Sequence, residues 1–144
     1  VYKLKIETGA MKMSEKISSI FPVGEENKEF AKYFIGKSYL NMLTTEGVGI
    51  GNVTFEPGCR NNWHIHHKGG QILLVTAGKG WYQEWGKPAI ELKPGDVVNI
   101  PPEVKHWHGA AKDSWFQHLA VEVPADGASN EWLEPVDEQE YDKL

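Results

Sequence analysis

All six histidines of this 144-residue chain lie between positions 64 and 118, and four stand as His-x-His pairs, His64/His66 and His106/His108. On a β-strand, residues i and i+2 point to one face, about 6–7 Å apart. Each pair can therefore turn two imidazoles toward one point. Neutral imidazole is a favoured ligand for Zn, Cu, Fe and Ni. A lone histidine reads as a surface or hydrogen-bonded side chain, but two such pairs read as a metal site held by strands.

The elements around the pairs fit that reading. Residues 48–123 divide into short apolar or alternating runs at 48–55, 63–66, 71–76, 80–85, 89–92, 96–100, 106–110 and 115–123. Turn signals separate them: Glu56-Pro57-Gly58, Lys68-Gly69-Gly70, Gly86-Lys87-Pro88, Lys93-Pro94-Gly95 and Pro101-Pro102. Glycine supplies positive φ and proline presets a turn, and strands so spaced predict an antiparallel all-β barrel or sandwich. Residues 1–45 are expected to be an extension packing on the barrel or on a partner subunit. It holds a short helical turn at 14–20 and strands at 32–35 and 38–43. Residues 46–123 are the barrel, and 124–144 a tail docked through Trp132 and Leu133. Asp137-Glu138-Gln139-Glu140 there resembles a weak capping box opening a last helical turn.

Composition narrows the function classes. Fifteen Lys+Arg against twenty Asp+Glu leave a net charge of −5, and Arg60 is the single arginine, so no basic stripe points to nucleic acid. The longest aliphatic run, 72–75, is too short to cross a bilayer. The first fifteen residues carry Lys3, Lys5, Glu7, Lys12 and Glu15 rather than an apolar leader. A cytoplasmic protein with no membrane or nucleic-acid partner is expected. Cys59 is the only cysteine and reads as a small buried hydrophobe.

The first pair sits in Gly58-Cys59-Arg60-Asn61-Asn62-Trp63-His64-Ile65-His66-His67-Lys68-Gly69-Gly70-Gln71, closing at Ala77-Gly78. The second follows Gly95-Asp96-Val97-Val98-Asn99-Ile100-Pro101-Pro102-Glu103-Val104-Lys105. These blocks resemble the two motifs of the cupin superfamily, with five residues between Gly58 and His64 and five between Gly95 and Pro101. The resemblance implies a double-stranded β-helix, or jelly-roll, barrel. Two positions depart from the motifs: Gln71 stands where a glutamate is usual, and Glu103 where the second motif has glycine.

Within the superfamily, Gln71, His106-Trp107-His108-Gly109-Ala110-Ala111 and His118-Leu119-Ala120 are similar to a small bacterial group. It comprises the manganese-dependent cupin hydroxynitrile lyases and the carboxymuconolactone-decarboxylase-like cupins. One extra residue between His66 and Gln71 departs from the lyases. The resemblance implies that His64, His66, Gln71 and His106 hold one divalent transition metal, with manganese first and Fe, Ni, Zn or Co as alternatives. It also implies that His108 and His118 move protons on a hydroxyl or carbonyl substrate. Gln71 either ligates the metal or hydrogen-bonds nearby, leaving three histidines. Three neutral imidazoles and an amide would leave a divalent ion about +2, a strong Lewis acid.

Three functions stay open at this stage. The first is a lyase- or isomerase-like enzyme on a small hydroxy or oxo compound. The second is a three-histidine Fe(II) dioxygenase, and the third a metal-assisted binder without catalysis. His67, on the opposite strand face from His66, is expected to face solvent or serve as a hinge. Trp81 is a candidate for the substrate pocket. Tyr33, Phe34, Tyr39 and Leu40 would leave an apolar sheet edge that a homodimer or higher even oligomer covers.

Overall fold

The structure is a computed structural model, and it describes residues 17–144. Among these residues, thirteen strands and one short α-helix follow one another. They are β1 (Glu25–Glu26), β2 (Phe34–Ile35), β3 (Ser38–Thr44), β4 (Ile50–Phe55), β5 (Arg60–Asn61), β6 (His64–His67) and β7 (Gln71–Gly78). Then come β8 (Gly80–Glu84), β9 (Ile90–Leu92), β10 (Val97–Ile100), β11 (His106–Ala110), β12 (Phe116–Glu122), β13 (Ser129–Trp132) and the helix α1 (Glu138–Asp142). Every strand pairing is antiparallel. A six-stranded sheet runs β1-β3-β4-β12-β7-β10. A seven-stranded sheet is built on β13-β6-β11-β5-β2, with β8 on the other side of β11 and β9 beyond it. This is the expected jelly-roll barrel.

Alternation sets which side chains enter the barrel. Along β7, Gln71, Leu73, Val75 and Ala77 are buried, while the residues between them are half-buried. The inward residues join Phe55, Tyr82, Leu92, Ile100 and Phe116 in the main core. Fully burying a side chain such as Leu73 or Phe116 contributes about 1.5–3 kcal/mol. A second cluster, Trp63, Trp107, Val136 and Tyr141, lies on the outer face of the seven-stranded sheet with Trp81, Leu133 and Leu144 against it. The C-terminal tail forms its lid. Asp137 caps α1 through Gln139 and Glu140 N–H groups, an arrangement worth about 1 kcal/mol. Tyr141 Oη then donates to Ala110 O at 2.6 Å, and the Arg60 guanidinium lies 4.0 Å over the Tyr141 ring.

Several expectations need correcting. Residues 31–33 are a 3₁₀ turn, and only Phe34–Ile35 extends as a strand. The helical turn placed at 14–20 falls partly outside the described residues, and residues 17–20 are not helical. The polar stretch before Trp132 is not a plain loop: β13 adds to the edge of β6, with Asn130 opposite His66 and Trp132 opposite His64. The leading strands β1 and β3 extend the six-stranded sheet. Tyr39 of β3 is buried, and Tyr33, at the end of the 3₁₀ turn, is half-buried and stacks on Trp132 at 4.6 Å. Among the described residues, no helix is long and apolar enough to cross a membrane.

Candidate metal centre and substrate pocket

Register brings the two histidine pairs together. His106 of β11 lies directly opposite His64 of β6, and the i, i+2 spacing puts His66 and His108 on the same inward faces. One ring nitrogen each from His64, His66 and His106 lies within 4.8 Å of the other two. All three side chains are buried. Trp107, between His106 and His108, points to the outer cluster, where its Nε1–H donates to Gln83 Oε1 at 2.8 Å.

Each ring of this triad is held through Nδ1. His64 donates to Asn62 O at 2.8 Å, His106 to Val104 O at 2.9 Å and His66 to Asn130 Oδ1 at 2.7 Å. Oxygen acceptors on Nδ1 fix the proton there and leave Nε2 with a free lone pair, the arrangement a metal-bound histidine requires. His66 Nε2 and His106 Nε2 are buried without a hydrogen-bond partner. Orphaned buried nitrogens are costly unless something binds them. Burial holds His64 well below the usual imidazole range, with His106 and then His66 adding to the effect. Burial brings His106 down to about 4, and His66 adds to this as well. All these features fit a divalent metal.

The turn delivering Gln71 to the same cavity has three successive residues at positive φ: Lys68 (63°), Gly69 (69°) and Gly70 (103°). A Cβ on Gly70 would sit 2.6 Å from Ile100 O, so only glycine fits there. Glu103 occupies φ 69° at the place of the second-motif glycine. Its carboxylate offsets that unfavourable conformation by accepting from Lys68 N at 2.9 Å and His67 Nδ1 at 2.6 Å. The second nitrogen of His67 donates to Glu131 Oε1 at 2.7 Å. Two carboxylate partners raise its pKa, Glu131 first and Glu103 next. His67 thus clasps β6 to β13 on the solvent side and takes no part in the pocket.

The inner pair differs. His118 follows a register shift in the pairing of β12 with β7, between Gln117 and His118. Such bulges re-aim side chains near active sites. The rings of His108 and His118 are 4.8 Å apart, and His108 lies 5.8 Å from His64. Asn61 Oδ1 accepts from the His108 backbone N–H at 3.0 Å, which turns Asn61 Nδ2 toward His108 Nε2 at 3.2 Å. Both nitrogens of His118 are buried and unpartnered. Burial takes His108 well below the usual range, and His118 and His64 add to this. Burial also takes His118 to about 4. Both rings are neutral at pH 7.

His64, His66, Gln71, His108 and His118 line one cavity of about 430 Å³. Its apolar wall includes Phe30, Phe34, Met42, Val53, Phe55 and Trp132. Trp132 lies 4.6 Å from the His64 ring and is the pocket tryptophan. Trp81 instead packs on the outer cluster. Sequence reasoning missed Asn61, Asn130 and Glu122. Glu122 is the carboxylate lining the cavity, and it accepts a hydrogen bond from Gln71 Nε2.

Residues 51–121 match the Cupin domain family. The chain is 49% identical over 90 residues to an (R)-mandelonitrile lyase of Granulicella tundricola, covering 62% of this chain and 68% of that protein. It also superposes on the crystal structure of a cupin-like protein from Thermotoga maritima. There the TM-score is 0.80 and the identity 46%, over 87% of this chain and 96% of that one. An acireductone dioxygenase of Bacillus pumilus is 25% identical over 79 residues, 52% of this chain and 42% of that protein. Jelly-roll topology, histidine spacing and these likenesses agree. The chain belongs to the cupin superfamily.

Proposed function

We propose that this cupin is a metal-dependent lyase that breaks or forms a carbon–carbon bond at a small hydroxy or oxo compound. The observation that carries the reading is the pairing of two histidine sets in one cavity. Three imidazoles have Nδ1 tied and Nε2 free, and two neutral imidazoles stand beside them. His64, His66 and His106 would hold the ion through Nε2, with Gln71 as a fourth ligand through Oε1. Manganese is the first candidate. A metal so held supplies Lewis acidity toward a hydroxyl or carbonyl oxygen.

The chain's own residues supply the rest. His108, neutral at pH 7, gives up the Asn61 hydrogen bond at Nε2 to accept the hydroxyl proton there, and His118 offers the next nitrogen for relay. For a cyanohydrin the O–H proton moves to His108, the bond from carbon to the nitrile breaks and a carbonyl forms. The proton then goes to the departing cyanide, releasing HCN. The wall of Phe30, Phe34, Phe55 and Trp132 suits an aryl or branched alkyl group and excludes water. Likeness to the mandelonitrile lyase makes (R)-mandelonitrile the first substrate to offer. Release of benzaldehyde, followed by its ultraviolet absorbance with and without Mn(II), tests the reading. No cleavage of this or related cyanohydrins by the metal-loaded protein would sink it.

A second reading is oxygen chemistry at Fe(II). It is favoured by the three-histidine cluster together with the stretch shared with a dioxygenase. Oxygen uptake separates the two, because a lyase consumes none. A homodimer or even oligomer is part of the proposal, and sedimentation checks it.

A further inference from the structure

Gln71 and Glu122 are direct cross-strand partners on β7 and β12. Glu122 shares its strand face with His118 and Ala120, at i, i+2 and i+4, and all three line the cavity. A carboxamide has two ends of nearly equal size and opposite character, and only its oxygen can ligate a cation. An ionised carboxylate accepts hydrogen bonds and donates none. Glu122 therefore draws the Nε2 end of Gln71 toward itself and turns Oε1 the other way. Among the described residues, Gln71 Oε1 accepts no hydrogen bond.

We propose that Glu122 is a positioning residue that selects the oxygen end of Gln71 for the metal. This rests on the metal reading given above. It removes the ambiguity that an amide brings to a ligand position, since a free amide could equally aim its NH₂ group at the imidazoles. It also revises the charge of the pocket. Three imidazoles and an amide leave a divalent ion about +2, but the carboxylate hydrogen-bonded to that amide brings the local sum to about +1. Glu122 touches Gln71 and acts through it.

The test uses Mn(II) as the probe ion, with free Mn(II) followed by its electron paramagnetic resonance signal. The proteins are wild type, E122Q, Q71E and Q71E/E122Q, each with its thermal midpoint measured. In E122Q the new amide can offer either end to Gln71 and so orients nothing. E122Q is expected to weaken Mn(II) binding roughly ten- to hundredfold, the scale on which groups that orient ligands act. The carboxylate introduced by Q71E has no wrong end. In that background the amide introduced by E122Q donates to the carboxylate, so E122Q should weaken Mn(II) binding far less on Q71E than on wild type, only by the charge it removes. That difference between the two backgrounds is the signature of orientation.

Two results would overturn the proposal. In one, a folded E122Q binds Mn(II) as tightly as wild type. In the other, E122Q weakens binding equally in both backgrounds, making Glu122 a bare charge. A wild-type protein that takes up no metal would overturn the metal reading itself, a result distinct from either.

Discussion

The two histidine groups of the barrel lie side by side and are almost equally buried, yet they are held in opposite ways. His64, His66 and His106 each donate Nδ1–H to an oxygen. His108 instead receives an amide N–H from Asn61, and His118 has both nitrogens unengaged. A donating tether fixes a tautomer and a direction, which suits a ligand. A ring without such a tether can take up a proton and pass it on. The division between holding and proton transfer is therefore written in the hydrogen bonds behind the rings more than in the rings themselves.

The comparison can be broken most severely by removing a triad member. His106→Ala should lose both metal and turnover, read by elemental analysis and by cyanohydrin cleavage. Next comes the inner pair. His108→Ala should keep its metal while turnover falls about 10²–10⁴-fold, the usual worth of a positioned acid or base. The tether itself is probed by Asn130→Ala. Freeing His66 Nδ1 should weaken Mn(II) affinity roughly ten- to hundredfold, with turnover largely restored at saturating Mn(II). If Asn130→Ala left affinity intact, the tether would not be what makes a ligand.

Acid sharpens the comparison in the metal-free protein. His106 and His118 fall from 6.5 to about 4 in the fold. Between these values the unfolded chain binds protons that the folded one refuses, so stability decreases as pH falls through that window. His118 alone is worth on the order of 3 kcal/mol across it. Denaturant midpoints at pH 7 and pH 4.5 check this. His67→Gln is the smallest perturbation. The raised pKa of His67 means its contribution is present below the unfolded value and is lost as pH rises through the folded one. The variant should melt below wild type at pH 6, and the gap should narrow toward pH 9, with metal affinity little changed.

Much of this site was legible before the fold. Period-two spacing placed His64 with His66 and His106 with His108, and the strand predicted at 106–110 has the observed bounds. β13 was missed because Ser129-Asn130-Glu131-Trp132 has no apolar alternation. It is an edge strand with exposed residues, and its pairing partner lies 64 residues away. The Asn130 tether and the place of Trp132 in the pocket were lost with it, although Trp132 was expected to dock the tail. Gln71 was found by its place in a motif, but Glu122 belongs to no motif and reaches Gln71 only through the register of β7 with β12. Glu103 read as a departure from glycine, and it keeps glycine's backbone conformation. What escaped was the set of contacts behind the ligands, which depend on long-range register rather than on local pattern.

The most direct measurement is metal content and cyanohydrin turnover on the same samples of wild type and His108→Ala, both loaded with Mn(II). Equal metal in the two proteins and turnover in wild type alone are expected. A His108→Ala protein that loses its metal, or that turns over like wild type, would contradict the division between ligands and proton carriers.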